Sequence, residues 1–503
     1  MTFYVTTPIY YVNDKPHIGH AYTTIAADIL ARHHRQRGEE TFFLTGVDEH
    51  ATKVWRAAEA QGQTAQEYVD QIAEVWRSLP PKLNAETDFF IRTTDEGHKA
   101  FVRDFLARIH AQGDIYEDVY AGFYCVSCEE FKSDDQLTDG LCSIHGTKPE
   151  WIEEKNYFFR LSRFQDALLE LYDSGFVLPE FRRNEVRSFV EGGLRDFSIS
   201  RAGQPWGIPL PWDESQVAYV WADALVNYLS ALTYARPGAD LRETFWPEAR
   251  HVVGKDIIRF HCVYWPAMLL SAGYSVPKQV FAHGWLLLDD LKISKSFGNA
   301  LDPFELIETY GADAVRYWCA RAVPFGQDGS ASLADIAARY ERELGNDLGN
   351  LLSRTTAMIA KYRLGTVTEG RTTSPEIATA IADVHDNVPA LIDAFDLTGA
   401  IDRAWLLVRE LNRYVTDKTP WILARDEANA DALDQVLFDL ADGLRAAAIA
   451  LSPYLPETAP QILEALGQSL DTSWDRVAAG RLEPARVEPA TPLFPRIEIA
   501  DVA

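Results

Sequence analysis

Two short clusters, 275 positions apart, carry the residues best suited to chemistry. The first is His17-Ile18-Gly19-His20, where a β-rich start gives way through a loop to a helix-forming run. The first N–H groups of a helix lack intrahelical partners, so this turn is expected to attract an anion. Gly19 would let a nucleotide's base or ribose approach the backbone closely. His17 and His20, three apart, face the same way and can donate hydrogen bonds to phosphate oxygens. The second cluster is Lys292-Ile293-Ser294-Lys295-Ser296, followed by Phe297-Gly298-Asn299. Two lysines and two serines in one short loop make a cationic, hydroxyl-rich clamp suited to a triphosphate. Taken singly, the clusters are a helix start and a solvated basic loop. Together they are read as a nucleotide site.

A third cluster is metal-like. Cys125-Val126-Ser127-Cys128 and Cys142-Ser143-Ile144-His145 give C-x2-C, thirteen residues, then C-x2-H. Two ligand pairs on tight turns, with Gly140 and Gly146 easing the second, can converge tetrahedrally on zinc. A stray thiol cluster or a disulfide is the alternative. All four positions are filled, so a zinc here is structural, with no open position for a catalytic water. Cys262 and Cys319, the other two of five cysteines, sit in apolar sequence and read as core.

The elements that must position these groups follow from periodicity. Phe3-Tyr4-Val5 is a first strand, leading into a loop with Pro8 and Pro16. A helix is predicted from about 17 to 37, with Ala21, Ile25 and Ile29 on one face and Gly38 as the stop. Thr41 to Leu44 reads as a buried strand. Strand, crossover helix and strand make a parallel, Rossmann-like α/β unit, and ligands of such sheets gather at the strands' carboxyl ends, here Thr6 to Tyr11 and Thr45 to His50. Residues from about 115 to 210 break the rhythm and read as an insertion. Strands resume at Ala218-Tyr219-Val220-Trp221, at His251 to Gly254 and at Val280 to His283. From about 335 the pattern is wholly helical; Leu433, Leu437, Leu440, Leu444, Ala448 and Leu451 form one stripe ending at Pro453. The last twenty residues are expected to pack loosely.

Bulk properties narrow the class. The chain has 503 residues, 47% hydrophobic and 24% charged, room for about three domains of a globular protein. No stretch approaches the roughly 20 apolar residues of a membrane helix. The N-terminus lacks the basic region and cleavage site of a signal peptide, so a cytoplasmic location is expected. A net charge of −26 argues against non-specific adhesion to nucleic acid, but leaves room for an RNA held by a local face and by base contacts.

The first two clusters resemble the HIGH and KMSKS signatures of class I aminoacyl-tRNA synthetases, with Ile293 in place of Met, an apolar exchange of similar volume. The gap between them is too short for the editing insertion of the isoleucine, leucine and valine enzymes. Pro8 to Asn13, Thr45 to His50, Tyr219 to Ala224, and Gly254-Lys255-Asp256-Ile257 through His261 to Trp265-Pro266 resemble the methionyl-tRNA synthetases, over nearly the whole chain. The resemblance implies activation of L-methionine by ATP, with magnesium, to methionyl-adenylate, then transfer to the terminal adenosine of methionine tRNA, initiator or elongator. His17, His20, Lys292 and Lys295 are then catalytic, Lys295 meeting the charge that builds on the α-phosphate and leaving pyrophosphate. Gly19, Gly254, Asp256 and Ser294 join them in holding ATP, with Gly254 and Asp256 on the ribose. Asp48 pairs with the α-ammonium. Ile9, Trp221, Ala224, Leu225, Tyr228, Phe260, His261 and Trp265 line the side-chain slot, where rings suit a thioether, and Tyr11 and the Tyr228 hydroxyl give it a polar edge.

The same resemblance divides the chain into a Rossmann-like catalytic half (1–114), an inserted connective module with the zinc knuckle (115–212), a second catalytic half (213–284), a KISKS and stem-contact region (285–338) and an all-α, helical-bundle anticodon domain (339–503). A second cysteine knuckle, present in some relatives, lacks its residues here, so one zinc is expected. Asn350 and Arg354, four apart, and Trp421 match the family's anticodon readers; a polar helix face and a core tryptophan are the alternative. The appended dimerising domain of some relatives is missing, so a monomer is expected. A cysteinyl-type enzyme, with zinc in its amino-acid pocket, and a non-catalytic tRNA-binding paralogue are the rival readings.

Overall fold

The computed structural model describes residues 1–12, 15–126, 130–132, 137–143, 146–288, 291–292, 301–368 and 370–497. At its centre lies a six-stranded sheet built from Thr2–Tyr11 (β1), Glu40–Asp48 (β2), Phe89–Arg92 (β3), Val177–Leu178 (β4), Ala249–Gly254 (β5) and Gln279–His283 (β6). Its order is β3-β2-β1-β5-β6-β4, and every pairing is parallel. The strands are continuous apolar runs, as expected of a sheet covered on both faces. The chain builds outward from β1 through β2 to β3, then crosses to β5 and β6 on the other side. That reversal opens a crevice beyond the carboxyl ends of β1 and β5.

Helix Ile18–Gln36 (α1) follows β1 and matches the predicted span. Its predicted stripe understates its burial. Ala21, Ile25 and Ile29 are buried, but so are Tyr22, Thr23, Thr24, Asp28, His33 and His34, because α1 is sandwiched between the sheet and helix Ala312–Ala322. Buried Asp28 is matched there by buried Arg316 at 2.6 Å. At its far end, the Gln36 amide donates to the Ile449 and Thr472 carbonyls of the helical region.

The insertion is a long antiparallel hairpin, Ile115–Cys125 against Glu150–Phe159, flanked by Glu130–Lys132 and Phe197–Ser198. Within this stretch the chain returns to the main sheet, where β4 forms the edge beside β6. A two-residue strand is too short to show a period. The strand expected at 218–221 is corrected: Asp213–Ala218 is the strand, and Val220–Ala224 (α3), which comes after helix Glu96–Ala111 (α2), is a short helix with Tyr219 at its N-cap. A short apolar run does not distinguish the two states.

From Leu333 the described chain is almost wholly helical, including Asn350–Arg363 (α4), Pro375–Asp393, Leu397–Lys418 (α5) and Ala430–Leu451. The leucine stripe of the last is fully buried, and one apolar core runs unbroken from Phe3 and Val5 into the bundle. The expected loose end is tied down instead. The Val487 N–H donates to the Gly365 carbonyl at 2.8 Å, and the Tyr340 hydroxyl to the Pro495 carbonyl at 2.8 Å. Among the described residues, no helix is long and apolar enough to cross a membrane.

Candidate active site

A cleft of about 400 Å³ opens at the carboxyl ends of β1, β2, β5 and β6. Ile9, Tyr11, His17, Gly19, His20, Asp48, Trp221, Ala224, Leu225, Tyr228, Gly254, Asp256 and His261 line it, so thirteen predicted residues from distant segments share one cavity. Phe260 and Trp265 do not reach its wall. Phe260 stacks on Trp221, centroids 3.8 Å apart and planes 8° apart. Trp265 is fully buried behind Tyr228 and directs its indole N–H to His251 Nε2 at 3.3 Å.

The HIGH turn works differently from the sequence expectation. Ile18 N–H donates to the Leu301 carbonyl at 3.0 Å, Gly19 N–H to His17 Nδ1 at 3.1 Å, and His20 N–H to the His17 carbonyl at 2.9 Å. His17 N–H in turn donates to His20 Nδ1 at 3.1 Å. The first-turn N–H groups are therefore spent, and the helix start is not a bare anion site. The imidazoles of His17 and His20 themselves face the cleft. Each Nδ1 accepts from a backbone N–H, so each neutral ring carries its proton on Nε2. The two rings lie 3.7 Å apart, and His20 is braced edge-on by Tyr10 and Trp76. Gly19 serves this cap as well as the cleft, since a Cβ there would sit 2.9 Å from the His17 ring.

Lys292 is described by its backbone, paired opposite Leu287; Ser294 and Lys295 lie outside the described residues. The chain on either side of 293–300 is informative. Before it, Leu286 lines the cleft; after it, Leu301 accepts the hydrogen bond from Ile18 at the start of α1. Leu301, just after the KISKS segment, is thus tied to the HIGH turn. At the same end of the cleft, Asp256 accepts from the Trp285 indole N–H at 3.1 Å and folds over Gly254, where a Cβ would meet its Oδ1 at 2.6 Å.

The other end is apolar. Ala224 and Leu225 face the cleft beside Trp221, and buried Asp48 marks the end of β2. His261 Nδ1 faces the Ile257 carbonyl at 3.0 Å and so carries the proton, leaving Nε2 to accept from the Tyr228 hydroxyl at 2.7 Å. This lock makes the floor neutral, with the Tyr228 oxygen as its polar point. Sequence reasoning missed Lys15, Trp76, His283 and Trp285 in the lining. His283 and Trp285 follow from the strand-end rule applied to β6. Trp76 comes from a separate amphipathic helix, Ala65–Arg77, with nothing in its spacing to mark it.

Burial keeps several histidines neutral. It lowers His261 to about 4, against a carbonyl contact that opposes it, and His251 well below its usual 6.5. Burial, helped by nearby cations, also lowers His33 and His34 to about 3. The unfolded chain takes up protons at these sites as pH falls through about 6.5, whereas the folded chain does not until about 4 or below. Stability is therefore fully present above pH 6.5 and falls as pH drops toward 4, by up to about 1.4 kcal/mol per pH unit for each histidine. Urea midpoints should hold from pH 7.5 to about 6.5 and fall from there to pH 5; a flat profile throughout would contradict neutral burial.

Comparison with known proteins decides the family. The model for "tRNA synthetases class I (M)" matches residues 3–142 and 132–356. The methionine–tRNA ligase of Caldanaerobacter subterraneus subsp. tengcongensis is 44% identical over 506 residues, covering 99% of this chain and 79% of that protein. That of Streptomyces coelicolor is 42% identical over 535 residues, covering 99% and 97%. The chain belongs to the methionyl-tRNA synthetases. Among solved structures, Mycobacterium tuberculosis methionyl-tRNA synthetase in complex with methionyl-adenylate superposes with a TM-score of 0.94 at 41% identity, covering 99% of this chain and 100% of that one. The apo form of the same enzyme gives 0.87 at 39% identity, covering 99% of each.

Two further predicted sites lie on the synthetase outside the cleft. On the helical region, Asn350 and Arg354 are both on α4, and the Arg354 guanidinium donates to the Asn412 amide oxygen of α5 at 2.7 Å. Trp421 starts the short helix Pro420–Leu423 and is 41% exposed, so it is not a core tryptophan. At the tip of the insertion Cys125 and Cys142 are buried, whereas Cys128 and His145 lie outside the described residues. Thr147 links the two thiol-bearing turns. Its carbonyl accepts from Cys142 N–H at 2.8 Å, and its hydroxyl lies 3.6 Å from Cys125 Sγ. The Gly146 N–H closes the second turn on the Cys142 carbonyl at 2.8 Å, with φ of +63° at Gly146. Among the described residues alone, no group of three metal-binding side chains converges.

Proposed function

We propose that the chain activates L-methionine with MgATP and transfers it to methionine tRNA, initiator and elongator alike. The observation that carries this reading is the convergence on one cleft of the HIGH imidazoles, Gly254 and Asp256, and a ring-lined slot ending at Asp48. The methionine carboxylate attacks the α-phosphorus in line, forming methionyl-adenylate and releasing pyrophosphate. The 2′-hydroxyl of the terminal adenosine then attacks the activated carbonyl and displaces AMP. His17 and His20 offer Nε2–H donors to the phosphates, and Lys292 and Lys295 add positive charge, so positioning and charge neutralisation do most of the work. Gly254 and Asp256 face the ribose. Asp48 faces the ammonium, and the Tyr228–His261 lock presents a neutral polar point to the thioether. Asn350, Arg354 and exposed Trp421 would read unstacked anticodon bases by edge hydrogen bonds and stacking.

Cys125, Cys128, Cys142 and His145 would hold one structural zinc. Its support is the burial of two thiols on turns joined through Thr147, a donor chemistry that suits zinc. Metal analysis should find one zinc per chain, lost in Cys125→Ser. No cysteine among the described residues lines the cleft, which disfavours the cysteinyl alternative. A reducing, cytoplasmic setting fits buried Cys262 and Cys319, neither in a disulfide. The reading takes the chain as a monomer, to be checked by sedimentation against a mass of 56.6 kDa. ATP–pyrophosphate exchange with each amino acid in turn tests the whole: methionine alone should support it. Exchange with none, or with cysteine only, rejects it.

A further inference from the structure

Behind the amino-acid end of the cleft lies a buried polar array that the proposed chemistry does not use. Asp223, fully buried on α3, accepts from His50 Nδ1 at 2.6 Å and from His98 Nε2 at 2.7 Å. His98 is fully buried on helix Glu96–Ala111, and its Nδ1 accepts from the Ser230 hydroxyl at 2.7 Å. His50 lies two residues beyond Asp48, and its backbone N–H points at Asp48 Oδ1 at 3.4 Å. Burial alone would raise the Asp223 carboxyl; the two imidazoles bring it down to about 2, so it stays charged at neutral pH.

Two imidazoles and a carboxylate taken out of water are costly unless the geometry is well satisfied, and their directional hydrogen bonds tie the elements that carry them in one relative placement. The arrangement held here is specific. Asp223 shares α3 with Trp221 and Ala224, which line the slot, while His50 is continuous with Asp48 on the opposite wall. The second wall is pinned independently, since Glu49 accepts from Arg92 at 2.8 Å and its carbonyl accepts from the Trp206 indole at 2.6 Å.

We propose that the His50–Asp223–His98 array is a positioning device that sets the span between Asp48 and the Trp221–Ala224 wall, so that one ligand's ammonium and side chain are gripped together. This rests on Asp48 being the ammonium partner. Removing the charge from Asp223 should relax that span without touching phosphate chemistry. Asp223→Asn is therefore expected to raise KM for methionine about tenfold, with kcat and KM for ATP changed less than about twofold. His98→Leu should behave likewise, and His98→Gln, which restores an N–H toward Asp223, should recover most of the loss.

The decisive comparison uses two ligands, methionine and 4-(methylthio)butanoate, which lacks the ammonium, titrated into each full-length variant. Asp223→Asn and His98→Leu should weaken methionine about tenfold and the desamino acid less than about twofold. Equal weakening of both ligands, no weakening, or a loss carried by kcat overturns the proposal. Asp48→Asn tests the underlying reading separately: it should abolish the preference for the ammonium-bearing ligand, and an unchanged preference would reject the role of Asp48 itself. Should Asp223→Asn fail to fold, the His98→Leu and His98→Gln pair decides the matter.

Discussion

Replacing Lys295 by alanine should leave methionine bound as tightly as before and slow ATP–pyrophosphate exchange by about 10²–10³-fold. Negative charge on the α-phosphate and the leaving pyrophosphate grows as the in-line displacement proceeds, so a cation that meets it only then lowers the barrier without strengthening the ground state. The amino-acid slot at the Asp48 and Tyr228 end is built by β2, α3 and the strand ends, none of which the KISKS segment supplies. Leu301, which follows that segment, has its carbonyl tied to the start of α1, at the end of the cleft proposed to hold the phosphates. Methionine affinity from equilibrium titration and exchange rates at saturating substrates separate the two effects. Parallel loss of both would show that Lys295 supports the site as a whole.

The largest loss of stability from one substitution is expected at Arg316. Its guanidinium is fully buried, paired with Asp28, and donates to the Leu83, Pro453 and Tyr454 carbonyls at 3.0, 2.5 and 3.2 Å. One planar fork thus satisfies three carbonyls from two separate parts of the chain. Arg316→Met would strand the Asp28 carboxylate, only partly relieved by Arg32 at 2.8 Å, and leave three buried carbonyls without a donor. Breaking a buried pair in this way costs about 3–5 kcal/mol. Lysine, a point donor without the fork, should rescue little. The double variant Asp28→Ala/Arg316→Met should be less destabilised than the two single losses added together, because no uncompensated charge remains. Urea unfolding curves give the comparison; strict additivity would mean that the pair is not coupled.

Much of this site was legible in the residues before any coordinates. His17, His20 and Asp48 stand at strand ends where a parallel sheet must place its ligands, so their convergence followed from topology. What was not legible depended on three-dimensional approach. The cap that turns Nδ1 of His17 and His20 inward needs backbone geometry, and it occupies the first-turn N–H groups that the sequence left open to an anion. Trp265 matched a family position yet packs behind the wall, because an aromatic residue's spacing does not reveal which of two layers it occupies. The start of α3 read as a strand because Tyr219-Val220-Trp221 is β-prone, and burial against neighbouring elements overrides so weak a preference. The chain's last stretch looked loose by composition, but its backbone N–H groups donate to the Gly365 carbonyl and the Thr356 hydroxyl, contacts that no local pattern encodes.

Helix α1 has His17 and His20 at one end and Gln36, seated on Ile449 and Thr472, at the other. At 1.5 Å per residue its nineteen residues form a rod of about 28 Å. Such a rod has leverage: pivoting about the Gln36 seat by about 5° displaces the imidazoles by about 2.4 Å, several times the tolerance of an in-line displacement. The position of His17 and His20 is thus sensitive to the packing at the far end of α1. A sequence change beneath Gln36, remote from any substrate, is a way to detune the chemistry while every substrate-facing residue stays the same.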